Sequence, residues 1–186
     1  TGKTTLVSIM AANNEIGVVQ PLAEIGAIAH AAGAVFHVDA AQAVGKVPMD
    51  VNAMQIDLLS LTGHKMYGPK GSGAIFVRKR TAIAPILVGG GQERGMRSGT
   101  LNVPGIVGLG AACEICRIEM VQESARLQLL RDRLLAGLQH ELGDVVVNGS
   151  LEHRLPNNLA VSFPGIDGEP LLIAISDIAV SSGSAC

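Results

Sequence analysis

The sequence is poor in aromatic residues: there is no tryptophan, one tyrosine and three phenylalanines in 186 residues. Its core must therefore be built on Val, Ile, Leu and Ala, as in parallel sheets covered by helices. Charge is scarce as well. Only 16% of residues are charged and the formal net charge is −2, so nothing recommends a nucleic acid or an anionic membrane as partner. Three cysteines cannot pair evenly, which makes a reducing, cytosolic-type compartment the default. No long hydrophobic run spans a bilayer either: the most apolar stretch, residues 25–45, carries His30, His37 and Asp39 and is split by Gly33. There is no initiating methionine, signal peptide or transit peptide, and no internal repeat or low-complexity segment. A cytoplasmic location is expected. The chain opens abruptly at Thr1 and closes at Cys186 straight after Ser-Ser-Gly-Ser-Ala, so it reads as a piece of something larger.

What is present is 48% apolar residues and 23 glycines, enough for one domain or one and a half. Residues 6–11 form a short apolar run ending in Asn13-Asn14-Glu15. A helical pattern follows, with Pro21 in its first turn and Gly33 beyond its end. Residues 34–38 are rich in β-formers and lead to Asp39; residues 56–61 lead to Thr62-Gly63-His64-Lys65; residues 73–78 turn back from a glycine-rich loop. Strand, helix and strand in alternation predict an α/β layer with a mainly parallel sheet, whose functional groups gather on the loops beyond the strand ends. Residues 103–142 are helical in pattern, with Leu127, Leu130, Leu134 and Leu138 at helical spacing. Beyond Gly143 come short strands at 145–148 and 159–163, a helix at 169–176 and a last strand near 178–181, a smaller α+β lobe. The expected division is 1–105, a connecting helical segment 106–142, and 143–186.

Two motifs have plain explanations. Thr1-Gly2-Lys3-Thr4-Thr5 imitates the end of a phosphate-binding loop, but that motif needs an upstream strand and a helix beginning at the lysine, whereas a strand-like run follows here. Cys113-Glu114-Ile115-Cys116 lies inside a helical pattern without a second ligand pair, so two small buried helix residues are expected rather than a metal or redox site. His30, His140 and His153 have no nameable partner, and His37 reads as a packed histidine on the sheet face of Asp39.

Lys65 is different. It stands between His64 and Met66, just past an apolar strand and just before a turn of glycines and proline. A lysine held at an apolar sheet edge can shed its proton and attack carbonyls as a Schiff-base former. In pyridoxal-phosphate enzymes such a lysine is paired with an Asp or Arg facing the pyridine nitrogen, and Asp39 ends another strand. Spacing alone leaves a solvated loop charge, like Lys70, open as the alternative.

"FHVDAAQAVG" at 36–45 and "LTGHKMYGPKGSG" at 61–73 closely resemble the two cofactor motifs of the cysteine desulfurases, the NifS/IscS-like branch of the class-V aminotransferase family. "NNEIG" at 13–17, "GGGQERGMRSGT" at 89–100 and "SSGSAC" at 181–186 resemble three further motifs of that branch, in the same order. The resemblance implies an incomplete fold-type I large domain followed by part of a smaller domain, with pyridoxal 5'-phosphate (PLP) as cofactor and L-cysteine as substrate. It implies that Lys65 carries the cofactor and moves the substrate α-proton, that Asp39 pairs with the pyridine nitrogen and Gln42 with the phenolic oxygen, and that Thr62 and His64 hold the phosphate. Thr100 would reach the phosphate site of the neighbouring subunit of a homodimer, and Asn14 would lie by the cofactor and the substrate carboxylate. Cys186 would take sulfur as a persulfide and pass it to an acceptor such as an iron–sulfur scaffold. The family's ring-stacking histidine would precede Thr1, and its carboxylate-binding arginine would follow Cys186. Another class-V enzyme, an aminotransferase or selenocysteine lyase, would share Asp39 and Lys65; a truncated, non-catalytic module would need neither.

Overall fold

The computed structural model describes residues 3–183. Its contacts divide the chain into two units, the first running through Ala11 and from Pro21 to Met120, the second from Ala12 to Gln20 and from Val121 onward.

The first unit holds a four-stranded sheet in sequence order, β1 (Leu6–Met10), β2 (Val35–Asp39), β3 (Leu58–Thr62) and β4 (Gly73–Val77). The first three strands are parallel, and β4 returns antiparallel along β3. Helix α1 (Leu22–Ala31) makes the β1–β2 crossover, starting after Pro21 and stopping before Gly33, which takes a left-handed φ of 69°. Strand alternation gives the sheet two unlike faces. Phe36, Val38 and Leu59 point to one of them and are buried. Gly26 of α1 sits so close to Phe36 that an added Cβ would lie 3.2 Å from its ring, so the helix packs directly on this face. Helix α2 (Val103–Leu142) begins in the first unit, where Leu109 and Ala112 pack with Met66, Leu61 and Val44.

The other face carries polar side chains. His37 bridges its neighbours, with Nδ1 2.7 Å from Ser8 Oγ on β1 and Nε2 3.2 Å from Ser60 Oγ on β3. A neutral imidazole has one donor and one acceptor nitrogen, so one serine donates to the ring and the other accepts from it. The sequence suggested a merely packed histidine; its role as a cross-strand bridge depends on a register that only the folded sheet reveals.

At the opposite end of the strands, His30 finds the partner that its sequence context does not show. Its Nε2 lies 2.8 Å from Asp57 Oδ2, which also accepts the Phe36 N–H at 2.9 Å. Arg78 reaches the Ile56 carbonyl at 2.8 Å and stands 3.6 Å from Asp57. The backbone of Asp57 adds to this network, its N–H donating to the Phe36 carbonyl at 2.9 Å and its carbonyl accepting the Arg78 N–H at 2.8 Å, so the entry to β3 is tied to both neighbours. Burial acts to raise the Asp57 carboxyl, but the Phe36 N–H, His30 and Arg78 together hold it below the usual carboxylate range. A carboxylate depressed by folding stabilises the fold above its unfolded pKa, and that contribution is lost as pH falls through the folded value. Asp57→Asn should therefore lower the urea midpoint at pH 7, and the gap from wild type should close below about pH 4. Equal midpoints at pH 7 would remove this network from the account of stability.

In the second unit, the remainder of α2 is joined by a two-stranded antiparallel sheet, β5 (Val146–Val147) with β6 (Val161–Ser162), and by α3 (Gly168–Ala174). Arg154, buried to 6% exposure, organises it: it donates to the Ser150 carbonyl at 2.8 Å, to Asn158 Oδ1 at 2.9 Å and to the Asn148 carbonyl. Asn158 in turn donates to the Glu15 carbonyl at 2.8 Å, tying down the 12–20 loop. The strand expected near 178–181 does not form. Ile178 and Val180 are exposed and no strand among the described residues runs beside them. Among the described residues no helix is long and apolar enough to cross a membrane.

Candidate functional site

The site is built where β2 and β3 end side by side. Asp39, the last residue of β2, is in register with Met10 on β1 and Ser60 on β3. Its backbone carbonyl accepts the Ala11 N–H at 2.7 Å, and the Ala40 N–H donates to Ser60 at 2.9 Å, so the strand end is gripped from both sides. One carboxylate oxygen, Oδ1, accepts the Ala41 N–H at 2.9 Å. This orients the acid and leaves its second oxygen to another donor. The chain then coils through two buried alanines, Ala40 and Ala43, and presents Gln42 half-buried.

The second strand end is a turn closed on itself. After Thr62 comes a 3₁₀ turn, Gly63–Met66, holding His64 and Lys65. The Gly63 N–H donates to the Ser72 carbonyl at 2.8 Å, the Gly68 N–H to the Gly63 carbonyl at 2.9 Å, and Ser72 Oγ to the Pro69 carbonyl at 2.8 Å. The glycines are there for room. A Cβ on Gly63 would come 2.9 Å from Ser72 Oγ, and one on Gly73 would come 2.6 Å from the Leu61 carbonyl oxygen. Helix α2 holds the loop from outside, with Gly108 against Pro69 and Ala112 against Gly68. Met66 is buried as the loop's anchor, so its neighbour Lys65 is held half-buried while Lys70 is exposed. Thr62 Oγ1 and His64 Nδ1 lie 2.9 Å apart, a paired hydroxyl and imidazole on the strand end.

The family model for aminotransferase class-V matches residues 1–186. The chain belongs to the class-V aminotransferase family. It is 59% identical over 185 residues to "Cysteine desulfurase IscS" of Anaeromyxobacter sp. (strain K), covering 98% of this chain and 46% of that protein. It is 58% identical over 188 residues to "Probable cysteine desulfurase, mitochondrial" of Dictyostelium discoideum, covering 100% of this chain and 42% of the relative. The solved structure of a NifS-like protein from Rickettsia africae ESF-5 superposes with a TM-score of 0.90 at 36% identity, over 97% of this chain and 51% of that one. This class-V chain thus spans about half the length of the curated relatives it matches. Its mainly parallel sheet with flanking helices is the fold-type I architecture of these NifS-like neighbours, about half of whose length it covers.

Of the residues singled out in this class-V sequence, Asp39, Gln42, Thr62, His64 and Lys65 fall on two adjacent strand-end turns of one unit. Thr100 lies exposed at the end of the 89–100 segment, which is folded by Ser98 Oγ donating to the Gly90 carbonyl at 2.6 Å and the Gly99 N–H to Gln92 Oε1 at 3.1 Å. Asn14 belongs to the second unit, beside Asn13, whose Oδ1 accepts the Glu15 and Ile16 N–H groups at 2.9 and 2.8 Å. Cys186 lies outside the described residues.

The structure also brings in one residue that the sequence did not flag. Lys46 donates to the Gln42 carbonyl at 3.0 Å. Burial, and then the charge of Lys65, pushes the Lys46 ammonium below its ordinary value, with partial opposition from Cys116. Cys116 packs against the same turn: a Cβ on Gly45, whose φ is 79°, would come 2.6 Å from its sulfur. Burial, reinforced by Cys113, raises the Cys116 thiol, while Lys46 pulls it back. The expectation of two buried cysteines is not met. Cys116 is partly buried and packs against Met66, Leu109 and Ala112, whereas Cys113 is exposed. Among the described residues no cluster of three or more His, Cys, Asp or Glu side chains could hold a metal.

Proposed function

We propose that the complete protein is a PLP-dependent cysteine desulfurase, which converts L-cysteine to L-alanine and delivers the sulfur through Cys186 to an acceptor protein such as an iron–sulfur scaffold. The observation that carries this reading is the pairing of two strand-end turns, one ending in Asp39 and the other in Thr62, His64 and Lys65. The names of the relatives support it. On this reading the first unit belongs to the PLP-binding domain, the protein works as a cytoplasmic homodimer, and neither nucleic acid nor membrane takes part.

The donor set suits PLP. Asp39 offers an oriented carboxylate with an oxygen to spare for a protonated ring nitrogen, and Gln42 follows it on the same turn. Thr62 and His64 offer a hydroxyl and an imidazole for a phosphate. Lys65 would supply the amine that holds the cofactor and the base that takes the substrate α-proton. Thr100 is assigned to the phosphate of a neighbouring subunit and Asn14 to the substrate side. The bound cofactor supplies an electron sink that makes the substrate's C–H and C–S bonds labile. The Cys186 thiolate then attacks the substrate sulfur. An S–S bond forms, the Cβ–S bond breaks with its electron pair left on carbon, Cβ takes up a proton and Lys65 returns one to Cα, which completes alanine.

The test is to supply the full-length protein with PLP and L-cysteine. Alanine and sulfide should appear in equal amounts in the presence of a reductant. Borohydride reduction of the resting enzyme should fix the cofactor on the peptide containing Lys65. Fixation on another lysine, or transamination without sulfide, would overturn the assignment.

A further inference from the structure

The turn after β2 has to hold Asp39 and Gln42 toward one point, yet in sequence it is a run of small residues, Ala40-Ala41-Gln42-Ala43-Val44-Gly45, with little to stiffen it. Backbone bonds within it run from Ala43 N–H to the Ala40 carbonyl at 3.0 Å and from Lys46 N–H to the Ala43 carbonyl at 3.0 Å. The side chain that closes it is Lys46, whose ammonium returns to the Gln42 carbonyl at 3.0 Å. Gly45 packs on Cys116 at a separation that excludes a Cβ, and that Cβ would also come 3.5 Å from Met66, the chain neighbour of Lys65, so the base of the Lys46 stem is set against both helix α2 and the Lys65 loop. The charged and titratable groups acting on Lys46 come from both elements packed against it: Lys65 from the Gly63–Met66 turn, and Cys116 from α2. Cys113 and Glu119 act in turn on Cys116.

We infer that Lys46 is a positioning residue of the cofactor site: it locks the Gln42 turn through the Gln42 carbonyl and places a second positive charge beside Lys65. A charge-assisted hydrogen bond to a backbone carbonyl is stronger than a neutral one, so the turn that carries Gln42 is held ready before the ligand arrives. The neighbouring ammonium disfavours any further positive charge at Lys65, including a protonated linkage between Lys65 and the cofactor. This inference rests on the proposed use of PLP.

Three variants of the full-length holoenzyme separate its two parts. Lys46→Met removes both the bond and the charge. It should weaken PLP binding, measured by equilibrium titration of the apo form, by about tenfold, the scale of one such hydrogen bond. It should also raise the pH midpoint of the bound cofactor's visible band by about one unit, the scale of losing one nearby like charge. Lys46→Arg keeps the charge and should hold the midpoint at the wild-type value. Lys46→Gln keeps a donor without charge and should raise the midpoint while leaving PLP affinity within about threefold of wild type; it also serves if Lys46→Met does not fold. A purely structural lysine would lower the melting temperature in both uncharged variants and leave the midpoint where it was, and that result overturns the inference. Wild-type protein that takes up no PLP would instead sink the functional reading beneath it, and this inference with it.

Discussion

Lys65→Ala should leave a folded protein that binds PLP only reversibly and makes no alanine. The lysine is asked to hold the cofactor covalently and then to handle the substrate α-proton, and losing a residue that acts covalently costs on the order of 10⁴-fold in turnover or more. The fold has little reason to suffer. Met66 anchors the loop in the core, and bonds through Gly63, Gly68 and Ser72 close the turn. Far-ultraviolet circular dichroism and the melting temperature should therefore stay near wild type. Dialysis should strip PLP from the variant but not from its parent. Turnover within tenfold of wild type would mean that another lysine carries the chemistry, and Lys46 would then be the first to examine.

Cys186→Ser should separate the two halves of the reaction. Binding of L-cysteine needs the cofactor and Lys65, so the spectral shift on adding substrate should survive. Sulfur removal needs a thiolate, and a serine hydroxyl is a poor nucleophile toward sulfur at neutral pH. Alanine and sulfide should both fall to background. Mass spectrometry of the unaltered enzyme after a brief exposure to L-cysteine should find one additional sulfur on the peptide containing Ser-Gly-Ser-Ala-Cys. Sulfur on Cys113 would transfer the role to the helix, because that thiol is exposed.

The elements that the sequence disclosed are those whose signals are local. Helix α2 occupies residues 103–142 as its leucine spacing implies, and Pro21 and Gly33 bracket α1. Asp39 and Lys65 could be singled out because each follows an apolar run and meets a sharp change of composition. What could not be read depended on partners far along the chain. Ser8, His37 and Ser60 meet only once three strands are in register. Asp57 passes for a strand residue until His30 and Arg78 are seen to engage it. Lys46 looks like any charge in a Gly-Lys-Val turn; its importance comes from a carbonyl four residues back and from a lysine on the next strand end. The last expected strand failed for the opposite reason: its β-formers were present, but a strand is made by the neighbour that pairs with it.

The loop from Thr62 to Gly73 begins and ends on one cross-strand pair of β3 and β4. The entropy of closing it is lost once, when the chain folds, and is not charged again to each ligand. On the proposed function, cofactor and substrate would meet a lysine whose backbone has few other places to be. Binding energy that a mobile loop would consume in becoming ordered remains available here for strain and alignment at the reacting carbon.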